Sequence, residues 1–418
     1  MQVSRAWRAL DALNFFLADV RGGLGPYLAI YLLTVRNWNE AEIGIVMSIS
    51  AIAGILAETP SGAVVDAVRA KRGLVVLAAL VVTAGSLVLP YLSSFLAVAS
   101  SQAVVSAVGS IFGPAIAAIS LGIVSHAHFA RRTGRNEAFN HAGNAFAATL
   151  AGVAAYVWGP SVVFFLIAAM AMASLISVLM LPAAAIDHDR ARGLHDGTTE
   201  GIDQPSGLQV LLTCRPLLVF AACAVLFHFA NAAMLPLVGQ KLALQDRNLG
   251  TSLMSACIVA AQIIMVPMAI LVGRKANRWG RKPLFLVGFL ILPIRGVLYT
   301  FSDDPYWLLS VQLLDGVGAG LYGALFPLIV ADLMEGTGRF NVALGAVLTA
   351  QGIGASLSTT LAGLIVVKAG YTAAFLALAA IAGAGLALFW IAMPETWQPK
   401  EEAVAGKRVC KGDLAEAE

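Results

Sequence analysis

Charge is scarce in this sequence. Only 12% of the residues are Asp, Glu, Lys or Arg, against about 25% in a soluble domain. A soluble chain with so little charge would have no surface to show to water, and 59% of the residues are hydrophobic. The solvent that fits is lipid, which a helix crosses with about 20 apolar residues. Cysteine is scarce too. Cys214, Cys223, Cys257 and Cys410 form no close pair, so they suggest neither a disulfide framework nor a metal site and read as small apolar fillers. No phosphate loop, nucleophile motif or metal-ligand spacing is present. The chain is therefore not expected to be an enzyme, to use ATP, or to need a cofactor or a nucleic-acid partner.

What the chain does have is hydrophobic runs along nearly its whole length. Its 40 glycines and 16 prolines fit membrane helices, which tolerate both. Twelve helices are predicted, over 10–33, 42–65, 73–92, 95–124, 137–158, 160–182, 216–240, 249–272, 283–301, 306–331, 341–367 and 371–393. Arg5 and Arg8 before an apolar run from Leu10 imitate a signal peptide. That run continues past Asp19 and Arg21 to about Val35 without a convincing cleavage site, so it reads as a retained first membrane helix. The one long polar stretch, 183–215, reads as a cytoplasmic linker between a six-helix half at 1–182 and another at 216–394. The charged tail, 395–418, is expected to be mobile.

Basic residues set the orientation. With both termini inside, 21 of the 27 lysines and arginines fall in inner segments. Four, Arg36, Lys241, Arg247 and Lys368, fall in outer loops, and Arg21 and Arg295 within helices complete the count. That split puts both termini on the cytoplasmic side of what reads as a bacterial inner membrane.

The two halves repeat at a spacing of 211. Gly62, Asp66 and Lys71 map onto Gly273, Asn277 and Lys282, and Thr149-Leu150-Ala151-Gly152 onto Thr360-Leu361-Ala362-Gly363. Gly143 maps onto Gly354, Gly159 onto Gly370 and Phe164 onto Phe375, while Gln102 maps onto Gln312 at a spacing of 210. Such a series in register predicts two parallel six-helix halves about an axis along the membrane normal.

At these residues the chain resembles the major facilitator superfamily. The family signature between helices 2 and 3 is Gly, three residues, Asp, two residues, Gly, Arg, and Lys or Arg. The second half carries it as Gly273, Asn277, Gly280, Arg281 and Lys282; the first half keeps Gly62, Asp66 and Lys71, followed by Arg72, but has Arg69 and Ala70 where Gly and Arg are expected. The resemblance covers about residues 8–394 and implies an all-α membrane protein of 12 transmembrane helices in two pseudo-symmetric six-helix halves. It also implies that this loop is a conformational gate. The physical rationale is that Gly62 lets helix ends approach closely, while Asp66 can accept hydrogen bonds from a neighbouring helix N-terminus or pair with a base. The alternative is that the basic residues only fix topology. Two departures matter: Ala99 stands where many proton antiporters of the family have an Arg before Gln102, and the exporter-type glycine pattern of helix 5 is incomplete. Neither antiport nor drug export is supported by motif.

Polar residues in lipid usually face a cavity or a partner. The candidates are Asn14, Asp19 and Arg21 in helix 1, Glu58 in helix 2, His141 in helix 5, His228 and Asn231 in helix 7, Arg295 in helix 9, Gln312 and Asp315 in helix 10, and Gln351 in helix 11. At about 100° per residue, Gln312, Asp315, Gly316 and Tyr322 share one side of helix 10 and Leu313, Leu321, Leu325 and Leu328 the other, so Asp315 points away from lipid. It is either a buried helix contact, with Arg295 at similar depth as partner, or a proton or substrate site. Asp19 and Arg21, two residues apart, cannot face each other and each needs a separate partner. Guanidinium suits a carboxylate or phosphate oxygen, so Arg21 either binds an anionic substrate group or forms a structural pair with a carboxylate such as Glu58 or Asp315.

The expected function is secondary active transport of a small polar or anionic solute by alternating access, coupled to protons. The expected partners are the bilayer, the solute and protons, with the chain acting as a monomer. The alternatives are an exporter of amphipathic drugs and a transport-dead membrane sensor.

Overall fold

A computed structural model describes residues 2–22, 25–159, 161–194, 207–245 and 247–397; for a few helical residues, Asp19 and Arg21 among them, it describes the backbone path only. Among the described residues there is no strand. Among those residues, eight helices are long and apolar enough to cross a membrane. Two of these, Phe95–Ala154 and Phe340–Ala392, are double. Ser125 (φ 64°) and Gly370 (φ 83°) break their helical path, so each holds two passes. With the first and ninth helices, which carry more charged residues, the passes among the described residues number twelve.

We number the passes in chain order. The first six are α1 (Gln2–Gly22, continued by Gly25–Thr34), α2 (Glu40–Ala67), α3 (Lys71–Val88), α4 (Phe95–Gly109, continued by 112–124), α5 (126–158) and α6 (Val162–Leu179). The last six are α7 (Arg215–Asn231, continued by Met234–Gln245), α8 (Arg247–Trp279), α9 (Arg281–Leu298), α10 (Pro305–Leu333), α11 (340–369) and α12 (371–392).

Several ends differ from the sequence expectation. The stretch 126–136, expected as an inner loop, is the start of α5, and α8 runs through the basic segment after 272 to Trp279. Both stretches are rich in good helix formers such as Ala, Arg and Lys, which carry a helix beyond the lipid. α8 stops where Gly280 takes a left-handed φ of 88°. The sequence expectation for the cysteines fails at Cys214, which is disulfide-bonded at the N-terminal cap of α7, while Cys223 and Cys257 are free and buried.

The chain forms two compact units. The first is Met1–His126, Phe139–Thr199 and Gly338–Gly345; the second is Ala127–Ala138, Glu200–Thr337 and Ala346–Glu418. α5 therefore begins in the second unit and ends in the first, and α11 does the reverse. In the first unit, Leu13, Leu17 and Val20 of α1 are at most 2% exposed and share one buried apolar cluster with Val75, Ala78 and Val82 of α3, Ile116 and Ile119 of α4, and Met170 of α6. In the second unit, the rings of Phe220, Phe227, Phe285, Phe289, Tyr322 and Phe389 pack in series, some stacked and some tilted or edge-on, at 4.4 to 5.7 Å between centroids. α10 is buried on both sides over its inner half. Leu321, Leu325 and Leu328, expected on its lipid side, are at most 2% exposed because α8 and α9 both pack along it.

Exposed Tyr91 and Trp158 mark the ends of passes in the first unit, and exposed Trp279, Tyr306 and Trp390 mark the ends of passes in the second. That is the aromatic pattern of a membrane-spanning protein at its two interfaces.

Candidate gate and transmembrane polar cluster

Within the first unit, Asp66 occupies the last turn of α2 and is 3% exposed. Its carboxylate accepts hydrogen bonds from the Asn341 N–H (3.2 Å), the Asn341 side-chain amide (2.8 Å) and the Val342 N–H (2.8 Å). Those N–H groups belong to the first turn of α11, whose donors have no partner inside their own helix. A carboxylate there gains both charge-assisted hydrogen bonds and the favourable end of the helix dipole. Asn341 also donates to the Ala191 carbonyl at 2.9 Å.

Backbone contact makes this arrangement reachable. A Cβ on Gly62 would run into the Asn341 carbonyl, and a Cβ on Gly345 into the Glu58 carbonyl. The α2–α11 crossing therefore needs glycine on both helices. Lys71, 1% exposed, turns the other way and donates to the Val65 and Val68 carbonyls (2.8 and 3.1 Å), ending α2. Arg72 donates to the Leu179 carbonyl at the end of α6 (3.0 Å).

The second unit holds the related crossing. A Cβ on Gly134 of α5 would meet the Ala269 carbonyl and Gly273 of α8. Gly134 and Gly345 are themselves 211 residues apart, so both glycines of one crossing repeat in the other. The sequence reading missed that pair, although the spacing already carried the signal. Gly143 against the Phe15 carbonyl repeats in the same way as Gly354 against that of Val225.

The chemistry at this second crossing differs from the first. Asn277, in the position of Asp66, donates to the Ala127 carbonyl of α5 (2.9 Å) and accepts from Arg281 (2.8 Å). Arg281, 1% exposed, also bonds Asp332 at 3.0 Å and lies over the Trp397 ring at 4.4 Å. The Glu395 carboxylate accepts from the backbone N–H groups of Arg281 and Lys282 (2.9 and 3.0 Å), filling the space that a Cβ on Gly280 would take. Thr396 donates to Asp332 at 3.0 Å. The expectation of a mobile tail from Glu395 thus fails for its first three residues, because the uncapped start of α9 and the buried Arg281 both bind them. Position alone gave no hint of this.

The polar residues inside the helices divide into groups. In the first unit, Asn14 is 1% exposed and donates to the Leu10 carbonyl at 2.8 Å. The side chains of Asp19 and Arg21 lie outside the described residues. In the second unit, Arg295 of α9 pairs with Asp315 of α10 and donates to Asn231 of α7. Gln312 donates to Asp315 at 3.0 Å and accepts from the Tyr299 hydroxyl. Arg295, Gln312 and Tyr299 are at most 1% exposed. Four of the sequence candidates, Asn231, Arg295, Gln312 and Asp315, thus form one cluster, with Arg295 at its centre. His228 sits apart from Asn231, its Nδ1 3.1 Å from the Ala224 carbonyl and its ring edge-on to Tyr322 at 4.9 Å. Gln351 donates to the Tyr322 hydroxyl at 2.9 Å.

A family model described as Major Facilitator Superfamily matches residues 10–293 and 220–412 of the chain. Uncharacterised MFS-type transporters from two strains of Mycobacterium tuberculosis are 58% identical over 392 residues, covering 94% of this chain and 94% of theirs. Among solved structures, the transporter FucP in its outward conformation superposes with a TM-score of 0.75 at 12% identity, over 96% of this chain and 100% of that one. The proton:xylose symporter XylE, bound to 6-bromo-6-deoxy-D-glucose, gives 0.71 at 14% identity over 99% of both. At those identities the likeness is one of fold.

Proposed function

The chain belongs to the major facilitator superfamily, and from that premise we propose that it is a secondary active transporter moving a small polar or anionic solute by alternating access, coupled to protons. It works as a monomer in a bacterial inner membrane with both termini in the cytoplasm. The observation that carries this reading is the Asp66 contact: one carboxylate holds the first turn of α11 by three hydrogen bonds. Releasing it frees the start of a helix whose remainder belongs to the other compact unit. Charge-assisted bonds of this kind are strong enough to hold a state and few enough to break.

Protons are the proposed coupling ion because Asp315 is a carboxylate among buried polar side chains, where protonation changes what Arg295 is paired with. An anionic group on the solute is proposed from Arg21, a guanidinium in a glycine-rich part of the first helix. The test is uptake into proteoliposomes across a panel of polar and anionic metabolites, with and without an imposed pH gradient. Accumulation of one solute only when the gradient is present is the expected result. Uptake that ignores the gradient removes the proton, and uptake of amphipathic cations alone would replace the solute class.

A further inference from the structure

α7 is interrupted in mid-course. Its helix stops at Asn231 and resumes at Met234. Pro236 causes the break, since its ring has no N–H and crowds the carbonyl four residues earlier, that of Ala232. Two side chains meet the break. The buried Ser358 hydroxyl of α11 accepts from the freed Ala233 N–H at 3.0 Å. Arg295 spans the gap: the same nitrogen donates to Asn231 on one side and lies 3.2 Å from the Met234 sulfur on the other. Its second terminal nitrogen pairs with Asp315 of α10. Gly296 keeps the approach open, for a Cβ there would come within 3.0 Å of the Met234 methyl.

The first half of the chain supplies an internal control. At a spacing of 211, Arg295 corresponds to Ala84, Gly296 to Gly85 and Tyr299 to Val88; at 210, Gln312 corresponds to Gln102 and Asp315 to Val105. There the same pair of helices packs Gly85 directly on the Val105 side chain, with no charge. The Gln102 amide nitrogen is buried without a hydrogen-bond partner among the described residues, whereas Gln312 has both Tyr299 and Asp315. The helix pair therefore does not require an ion pair to form.

We propose that Arg295 is a positioning residue for transport: its forked guanidinium pins the break of α7 to α10, so that the two pieces of α7 move as one until the Asp315 contact is released. The inference rests on the alternating-access reading, but it concerns the break itself and is tested without any solute. Spin labels at Leu218 and Leu244, exposed positions on the two pieces of α7, are separated by about 39 Å along a straight helix. Their distance distribution is measured by pulsed electron resonance in the full-length protein, alongside thermal unfolding. Three forms are compared: the unaltered chain, Arg295→Lys, and Arg295→Ala combined with Asp315→Val, which installs the first-half residues. The unaltered chain is expected to give one narrow distance. The double variant is expected to fold with a similar unfolding temperature yet lose the narrow distance. Arg295→Lys keeps a charge for Asp315 but has no fork to span the break, and is expected to broaden likewise. A narrow distance in either variant overturns the proposal. Failure of the double variant to fold also overturns it, because the pair would then be structural.

Discussion

At the residue scale, the cluster on α7, α9 and α10 separates two things a buried carboxylate can do. Asp315 is bound by Arg295 and Gln312, so removing its charge leaves Arg295 buried with its main partner gone. Breaking one side of such a pair costs about 3–5 kcal/mol. Asp315→Asn keeps the shape and part of the hydrogen bonding. It is expected to abolish accumulation driven by a pH gradient while solute exchange between equal compartments survives; accumulation that persists would move the coupling role to Asp19 or His228. Arg21→Gln is expected to weaken solute binding at least about tenfold, the loss of roughly 1.4 kcal/mol that one charge-assisted contact can supply. Titration calorimetry on the purified variant, showing unchanged affinity, would remove Arg21 from the site. The sequence reached Asp66 through its signature and the Arg295–Asp315 pair through equal depth on adjacent helices. It did not reach Asn341, Asp332 or Glu395, because each meets its partner across at least 51 residues of chain and no local pattern marks such a meeting.

At the element scale, the glycines are not equivalent. Gly62, Gly134 and Gly345 sit where backbones touch, whereas a Cβ on Gly152 or Gly363 would meet nothing within 4 Å. All five lie in register with the repeat, so the repeat alone could not tell crossing points from open ones. Gly345→Val is expected to force α2 and α11 apart and to cost about 1–3 kcal/mol, the usual penalty of overpacking. Gly152→Val is expected to unfold at nearly the same temperature as the parent. Equal unfolding temperatures for the two variants would contradict the crossing. Hydropathy placed all twelve helices but misplaced the starts of α5 and α1 and the end of α8. It reports where lipid begins, while capping and helix propensity decide where a helix ends. The same projection that placed Asp315 away from lipid and Leu313 toward it misjudged Leu321, Leu325 and Leu328, because over that half α10 is flanked on both sides by α8 and α9.

At the scale of the whole molecule, the two related crossings carry different chemistry. One holds a helix start with a carboxylate, the other with an amide backed by the Arg281, Asp332 and Glu395 network. The repeat was legible in the sequence, but its asymmetry was legible only as departures from the signature, at Asn277 in one half and at Arg69 and Ala70 in the other. The proposed topology is checked by single cysteines on a cysteine-free background. Ser93→Cys, in the exposed connection after α3, is expected to react with an impermeant maleimide added to intact cells, and Arg278→Cys, exposed at the end of α8, only after lysis. The reverse pattern would invert the protein in the membrane.

The central claim is that each transport cycle opens the Asp66 contact with α11, and it is tested most directly on Asp66→Asn. Initial uptake rates in proteoliposomes and solute affinity in detergent are measured together, using the solute that the uptake panel identifies. The account predicts a rate reduced by about tenfold or more, the effect of roughly 1.4 kcal/mol on the barrier or on the population of one state, with affinity and unfolding temperature close to those of the parent. A variant that transports at the parental rate would contradict it.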